Sequence, residues 1–334
     1  MLSDYSPRHD TRNNFADCKQ VASRLILGRL PSRPVSISIV IPTFRRSALL
    51  AQALDSALAQ EAAPDYEIVV VDNDAETDAD TESVVRSRLT DKLRYYRNEQ
   101  NLGMTGNWNR ALELASGTWV SMLHDDDWLA PDFLACIFKA MPNDCAMIAA
   151  GVVMGTADYN SESLKGMSVK RGVLRPVTST RLILGSISPA PGIVMNRACA
   201  IESGGFDPNY YPCMDYDFYI RMAESHRAYW LSDVLAYYRT SDSTTNIGDT
   251  LERIVRDSAT IKSALLRSAP SVTGAVFWLH SMMSWYQKAQ AQGKDIRVNS
   301  KAERFAKWLS KRDSLSRACW YLMRVFDRLD RAFA

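Results

Sequence analysis

Short apolar runs alternate with longer amphipathic stretches through the first 140 residues of the chain. Residues 36–41, 67–71 and 93–97 are brief, rich in β-branched or aromatic side chains and bounded by polar turns, which predicts buried strands. Between them lie patterns of helical period. Leu49, Leu50, Ala53, Leu54, Ala57 and Leu58 share one face of a helix over 47–60. A second helix is expected over 80–88. A third, over 108–115, carries Trp108, Ala111, Leu112 and Ala115 on one stripe and stops at Gly117. Residues 119–123 form a fourth strand, and Pro131 suits the first turn of a helix over 132–140. Strands and helices alternating at this spacing predict an α/β fold, a mostly parallel sheet flanked by helices on both faces. Ahead of this block, Val21, Ala22, Leu25 and Ile26 predict a short amphipathic helix over 17–27.

Beyond Gly151 the pattern loosens. Residues 156–172 read as a polar excursion and 181–186 as a short apolar segment, and 193–195 as a strand. Helices are expected over 198–203 and 215–225, and strand pieces over 229–231 and 234–239. From about Asp249 the periodicity is purely helical, over 251–267, 272–292 and 302–333. The chain therefore divides into a polar extension (1–34), an α/β domain (35–245) and a C-terminal helical region (246–334).

Polar residues cluster where the predicted strands end: Thr43 and Arg45, then Asp72 and Asp74, then Asp125, Asp126 and Asp127. Three consecutive carboxylates repel one another and resist burial, and a divalent cation such as Mg²⁺ or Mn²⁺ relieves that repulsion with hard oxygen ligands. A solvated acidic turn is the plainer account of the same three acids. Ligands of open parallel sheets sit outside the carboxyl ends of the strands, so the three groups together describe a metal-dependent crevice for a phosphorylated ligand.

Composition changes this picture little. With 46% apolar and 23% charged residues the chain is an ordinary globular one. Its net charge of +2 argues against a nucleic-acid binder. The six scattered cysteines form no metal-finger spacing and fit a reducing cytoplasm. The polar N-terminus does not read as a signal peptide, and no apolar run is long enough to span a bilayer.

The motifs now resemble a family. Ile41-Pro42-Thr43-Phe44 with its arginines, Asp72-Asn73-Asp74, Asn101-Leu102-Gly103 followed by Trp108-Asn109-Arg110-Ala111, Asp125-Asp126-Asp127 with Pro131, and Asp215 through Arg221 are similar to the successive motifs of family 2 glycosyltransferases. The resemblance covers about residues 36–245 and implies an inverting enzyme of the GT-A fold. It implies that Pro42 and Thr43 line the base and ribose, that Asp72 hydrogen-bonds the base, and that Arg45, Asp74, Asn101 and Asp126 belong to the same nucleotide-sugar site. Asp125 and Asp127 become the ends of a D-x-D motif that touches ribose and metal, with Mn²⁺ or Mg²⁺ as cofactor.

An inverting transfer needs one general base, and the resemblance implies Asp215, with Asp217 as second choice and Arg221 in support. Asp215 as a plain helix cap is the alternative. The acid that precedes the base in the family is Met214 here, and the histidine that follows its Tyr-Tyr-Arg segment is replaced by Ser241, next to Asp242. His124, before the acids, reads as a supporting or structural residue rather than a metal ligand.

The expected partners are a nucleotide-diphosphate sugar, UDP-linked first, and a glycan or lipid-linked acceptor of a cell-surface polysaccharide such as lipopolysaccharide. Residues 301–334 carry nine Lys and Arg against four Asp and Glu between apolar positions. That basic helix either packs on the transferase domain or another copy of the chain, or lies on the cytoplasmic face of the inner membrane. The location is expected to be cytoplasmic or peripheral. A homo-oligomer is compatible with the sequence. Two rivals remain. A nucleotidyltransferase lacks its glycine-rich phosphate loop here. A catalytically silent scaffold of a polysaccharide assembly complex draws on Met214 and Ser241.

Overall fold

The computed structural model describes residues 13–76, 79–156, 172–185, 188–240, 250–298 and 300–333. Ser241 and Asp242 lie outside them, as does most of the excursion expected over 156–172.

The α/β part is built on one ten-stranded sheet. Its parallel centre is β2 (Ile37–Thr43), β3 (Tyr66–Asp72), β4 (Leu93–Asn98) and β5 (Trp119–Met122). Every residue of β2 and β3 is buried, as continuous apolar runs predict for strands covered on both faces. Period-two alternation assigns their side chains to two cores. Ile37, Ile39, Ile41, Ile68 and Val70 face α2 (Ser47–Leu58), α3 (Ala79–Arg86) and α5 (Phe133–Ala140). Val40, Val69 and Val71 face α4 (Gly103–Leu114) and α8 (Met214–Ser225).

Beyond β5 the sheet continues antiparallel through β9 (Ile193–Asn196) to β7 (Met147–Gly155). β10 (Ala228–Arg239) pairs parallel to β7 and antiparallel to the two-residue β6 (Trp128–Leu129) and to β8 (Leu174–Pro176). The two strand pieces expected near 229 and 234 are thus one strand, whose register slips between Leu231 and Val234. The remaining short helices are α6 (Ser179–Leu184) and α7 (Arg197–Glu202).

The N-terminal expectation is corrected. Only α1 (Ala16–Lys19) is helical, and Ser23–Leu27 is a strand, β1, antiparallel to β4. An open edge at β4 offers backbone hydrogen bonds that outweigh a weak local helical pattern. Gly28 ends β1 at φ +86°, where a Cβ would lie 2.2 Å from the Leu93 carbonyl oxygen.

Among the described residues the C-terminal region forms four helices: α9 (Thr250–Ser268), α10 (Val272–Ala291), α11 (Lys301–Ser310) and α12 (Asp313–Phe333). The last two were expected as one; they break at Lys311 and Arg312. Ile254, Phe277, Trp278 and Tyr286 share a core with Leu182 of α6 and Tyr216 of α8, so these helices back the face of the sheet that carries α8.

Candidate active site

Register puts the site together. β2 and β3 run level, Thr43 opposite Asp72. β5 leaves its pairing with β2 at Met122, opposite Val40, three residues short of Thr43. The chain that follows therefore curls over the end of β2, and Thr43 Oγ1 donates to Asp125 Oδ2 at 2.8 Å. The turn closes with the Asp127 N–H on the His124 carbonyl at 3.2 Å. The far end of β10 arrives from the other side: the backbone N–H of Arg239 donates to Asp127 Oδ1 at 2.9 Å.

Three carboxylates now lie together. Arg46 Nη1 donates to Asp126 Oδ2 at 2.8 Å and lies 3.4 Å from Asp125 Oδ1. Asp127 Oδ2 is fully buried, has no hydrogen-bond partner and sits 3.3 Å from His124 Nδ1. Burial, with the charge of Asp126 added, pushes the Asp125 carboxyl up to about 6. Burial does the same to Asp127, also to about 6, partly offset by His124. Burial opposes charging His124, yet the nearby Asp127 carboxylate and the negative charge of Asp126 and Asp125 leave its pKa raised. Buried carboxylates with an oxygen lacking a donor form the donor set a hard divalent cation takes, so the residues fit the expected metal.

His124 stacks on Trp108 of α4, ring centroids 4.7 Å apart, and Trp108 meets Phe206 edge-on at 5.1 Å. On the opposite side the Arg239 guanidinium lies 5.2 Å above the Trp128 ring, which stacks on Tyr237 at 4.0 Å. Arg239 also donates to the Asp126 carbonyl (3.2 Å) and to Gln52 (2.9 Å), fixing the backbone of the acidic turn.

α8 brings the candidate base. Asp215 is half-buried at the first turn, and its Oδ1 accepts from the Tyr216 N–H at 2.7 Å. Burial raises its pKa, while the charge of His124 lowers it, so the two groups lie within electrostatic reach. Met214 is buried with its sulfur 3.6 Å from Thr105 Oγ1. Asp217, the second candidate, is fully buried; its Oδ2 accepts from Arg221 at 3.0 and 2.9 Å. Arg221 also donates to the Ser203 and Gly205 carbonyls. This pair braces the 203–205 turn against α8.

The remaining sequence candidates separate. Asp72 is sealed: Oδ2 accepts from Tyr95 at 2.7 Å, Oδ1 from the Asp74 N–H at 3.0 Å, and Arg97 stands 3.8 Å away. Burial raises its pKa. It underpins the edge without offering a free face to a base. Asp74 holds Arg45 at 2.7 Å, and this pair keeps Arg45 at φ +54°, a left-handed backbone that non-glycine residues seldom adopt. Phe44 beside them is exposed and lies 5.1 Å under the Arg45 guanidinium. Pro42 is buried in β2. Asn101 accepts from Asn73 (2.8 Å) and from the Gly103 N–H (2.8 Å), so it secures the loop behind the site.

Arg46, His124, Trp108 and Arg239 were not singled out as site residues. His124 was read only as a supporting residue, and Trp108 and Arg239 only as parts of longer motifs; the signal for Arg46 was a second cation immediately after the expected Arg45.

The sequence profile of glycosyl transferase family 2 matches residues 38–186. A curated relative, the GalNAc(5)-diNAcBac-PP-undecaprenol beta-1,3-glucosyltransferase of Campylobacter jejuni, is 30% identical over 138 residues, 40% of this chain and 44% of the relative. The chain thus spans less than half of that relative's length. Among solved structures, Staphylococcus aureus TarS residues 1–349 in complex with UDP superposes with TM-score 0.54 at 16% identity, covering 90% of this chain and 92% of the other. The mannosyltransferase PcManGT of Pyrobaculum calidifontis, in complex with GDP-Man and Mn²⁺, does so with TM-score 0.52 at 17% identity, covering 91% and 88%. At these identities the likeness is one of fold, and the fold is of the GT-A type expected from the sequence.

Proposed function

We propose, from the match of the glycosyl transferase family 2 profile to residues 38–186, that this protein is a metal-dependent inverting glycosyltransferase that moves a sugar from a nucleoside-diphosphate sugar to a hydroxyl of a glycan or lipid-linked acceptor in polysaccharide biosynthesis. The observation that carries the reading is the buried acid cluster at the carboxyl edge of the sheet, with an oxygen of Asp127 that no protein donor satisfies.

In this reading Thr43 and Asp125 face the ribose, and Arg46 sits where it can answer the negative charge of a diphosphate. A divalent cation bound at Asp125 and Asp127 would neutralise charge on the departing nucleoside diphosphate. Asp215 takes the acceptor hydroxyl's proton as that oxygen attacks the anomeric carbon and the bond to the diphosphate breaks with inversion. Its raised pKa makes it a stronger base than a solvated carboxylate. Asp72 acts from beneath, by holding Tyr95 and the 74 backbone. UDP is the first nucleotide to test because a structural neighbour holds it, and Mn²⁺ the first metal for the same reason.

A second proposal concerns location. Phe305, Trp308, Leu315, Trp320, Tyr321, Leu322 and Val325 are exposed on α11 and α12. Arg312 lies 3.7 Å over Trp308 and Arg324 4.9 Å over Trp320. Aromatic side chains interleaved with cations suit the headgroup level of an anionic bilayer, which would place the site beside a lipid-linked acceptor on the cytoplasmic face. Among the described residues no helix is long and apolar enough to cross a membrane.

The test of the catalytic reading is thermal melting with UDP, GDP, dTDP or CMP, each with and without Mn²⁺. A ligand bound only by the folded state stabilises it by about 2.7 kcal/mol at a hundred times its Kd. A rise with one nucleotide that needs the metal is expected. No rise with any of the four, with or without metal, would sink the donor-site reading.

A further inference from the structure

We propose that His124 is itself a metal ligand, so that the cation is held by an imidazole nitrogen together with carboxylates rather than by the acids alone. This rests on the metal-dependent reading above and names the residue that gives the site its ion preference.

The argument begins with which donors are taken. Asp125 accepts from Thr43 at 2.8 Å and faces Arg46 at 3.4 Å; Asp126 accepts from Arg46 at 2.8 Å. Asp127 spends Oδ1 on the Arg239 N–H at 2.9 Å, which leaves Oδ2, fully buried and without a hydrogen bond. His124 Nδ1 lies 3.3 Å from that oxygen. That separation is within a few tenths of an ångström of the roughly 3 Å between neighbouring ligands of an octahedral ion whose bonds are about 2.1 Å. One donor atom each from His124, Asp126 and Asp127 lies within 4.8 Å of the other two.

The ring is also held in place. Trp108 covers one face at 4.7 Å, and Trp108 is itself fixed by Phe206. His124 Nε2 is buried and has no hydrogen-bond partner, so nothing there forces the proton onto Nδ1. The stack orients the imidazole in place of the hydrogen bond that commonly orients a metal-bound histidine.

Imidazole nitrogen binds transition-metal ions in preference to Mg²⁺, which favours oxygen and water. The protein therefore takes Mn²⁺ more tightly than Mg²⁺. The experiment is pulsed electron paramagnetic resonance of Mn²⁺ bound to the wild-type chain in the presence of UDP, repeated with ¹⁵N-histidine protein, beside equilibrium titrations of Mn²⁺ and Mg²⁺. The spectrum is expected to show coupling to a directly bound nitrogen that changes with the isotope. His124→Asn removes that coupling and weakens Mn²⁺ binding by about tenfold or more, while the Mg²⁺ constant moves less than about twofold. Bound Mn²⁺ with no nitrogen coupling, or coupling that survives His124→Asn, overturns the assignment and leaves the donor-site reading intact. Absence of any Mn²⁺ binding, with and without UDP, overturns both.

Discussion

At the first turn of α8 the Asp215 carboxylate is half-buried and takes a single hydrogen bond from its neighbour's backbone, whereas Asp217 is sealed against Arg221. The two acids should therefore fail differently. Asp215→Asn keeps the shape and removes the base, so kcat falls by about 10²–10⁴ while the urea midpoint stays in place. Asp217→Asn leaves Arg221 a buried cation with no carboxylate to balance it, so stability falls by about 3 kcal/mol or more and activity follows the folded fraction. If instead Asp217→Asn melts like wild type and loses turnover, the base has been misassigned. Sequence alone could rank these acids only by motif position, because their difference lies in Arg221 and the 203–205 carbonyls. The same holds for Arg239, whose N–H meets Asp127 across 112 residues of chain. What was legible at this scale was the conspicuous feature: three adjacent carboxylates after an apolar strand. The partners of those acids depend on where β2, β5 and β10 end relative to one another, and no single segment encodes that. Asp72 shows the converse. It stands at the expected strand end, but its neighbours Tyr95 and Arg97 on β4 close it off.

Within the elements, long apolar runs and helical stripes were read correctly because each reports its own burial. β1 was not, since its strand state depends on an edge supplied by β4, seventy-odd residues later in the chain. The C-terminal helices hold a second feature that periodicity hides. Lys262 of α9 is buried, with Nζ donating to Ser281 Oγ and to the Leu184 carbonyl at 3.3 Å, and lying 5.6 Å over the Tyr216 ring. It ties α9 and α10 to α6 and to the helix that carries Asp215. Burial pushes its pKa down to about 8 from the usual 10.5. Between those values the unfolded chain binds the proton and the folded one does not, so this group's contribution to stability rises with pH. Below pH 8 the folded protein carries the full cost of a buried ammonium. Against Lys262→Met, which does not titrate there, the wild type should gain up to about 2 kcal/mol between pH 7 and pH 9.5, read as the difference of denaturant midpoints at each pH. A difference that is flat over that window would mean Lys262 titrates normally.

On the scale of the whole molecule, one face of the sheet is closed by α2, α3 and α5 and the other by α4, α8 and the C-terminal helices, so α8 lies between the acid cluster and the 250–333 bundle. A bundle that only packed would turn its large apolar side chains inward. α10 does so with Phe277, Trp278 and Tyr286, while α11 and α12 leave Trp308, Trp320 and Tyr321 outward among arginines and lysines. Unpaired packing against a second copy of the chain would favour a continuous apolar stripe; cations stacked on the exposed rings favour an anionic surface instead. The protein should sediment with vesicles containing phosphatidylglycerol and stay in solution with phosphatidylcholine alone. Each lysine or arginine near such a surface contributes about 1 kcal/mol, a term that salt screens. Trp308→Ser combined with Trp320→Ser should lower the partition coefficient about tenfold or more without changing nucleotide binding, because neither ring touches the crevice. Equal partition into both lipids would mean the basic residues do not select the surface. No partition into either, together with a concentration-dependent dimer that the double variant abolishes, would assign this face to a second copy of the chain.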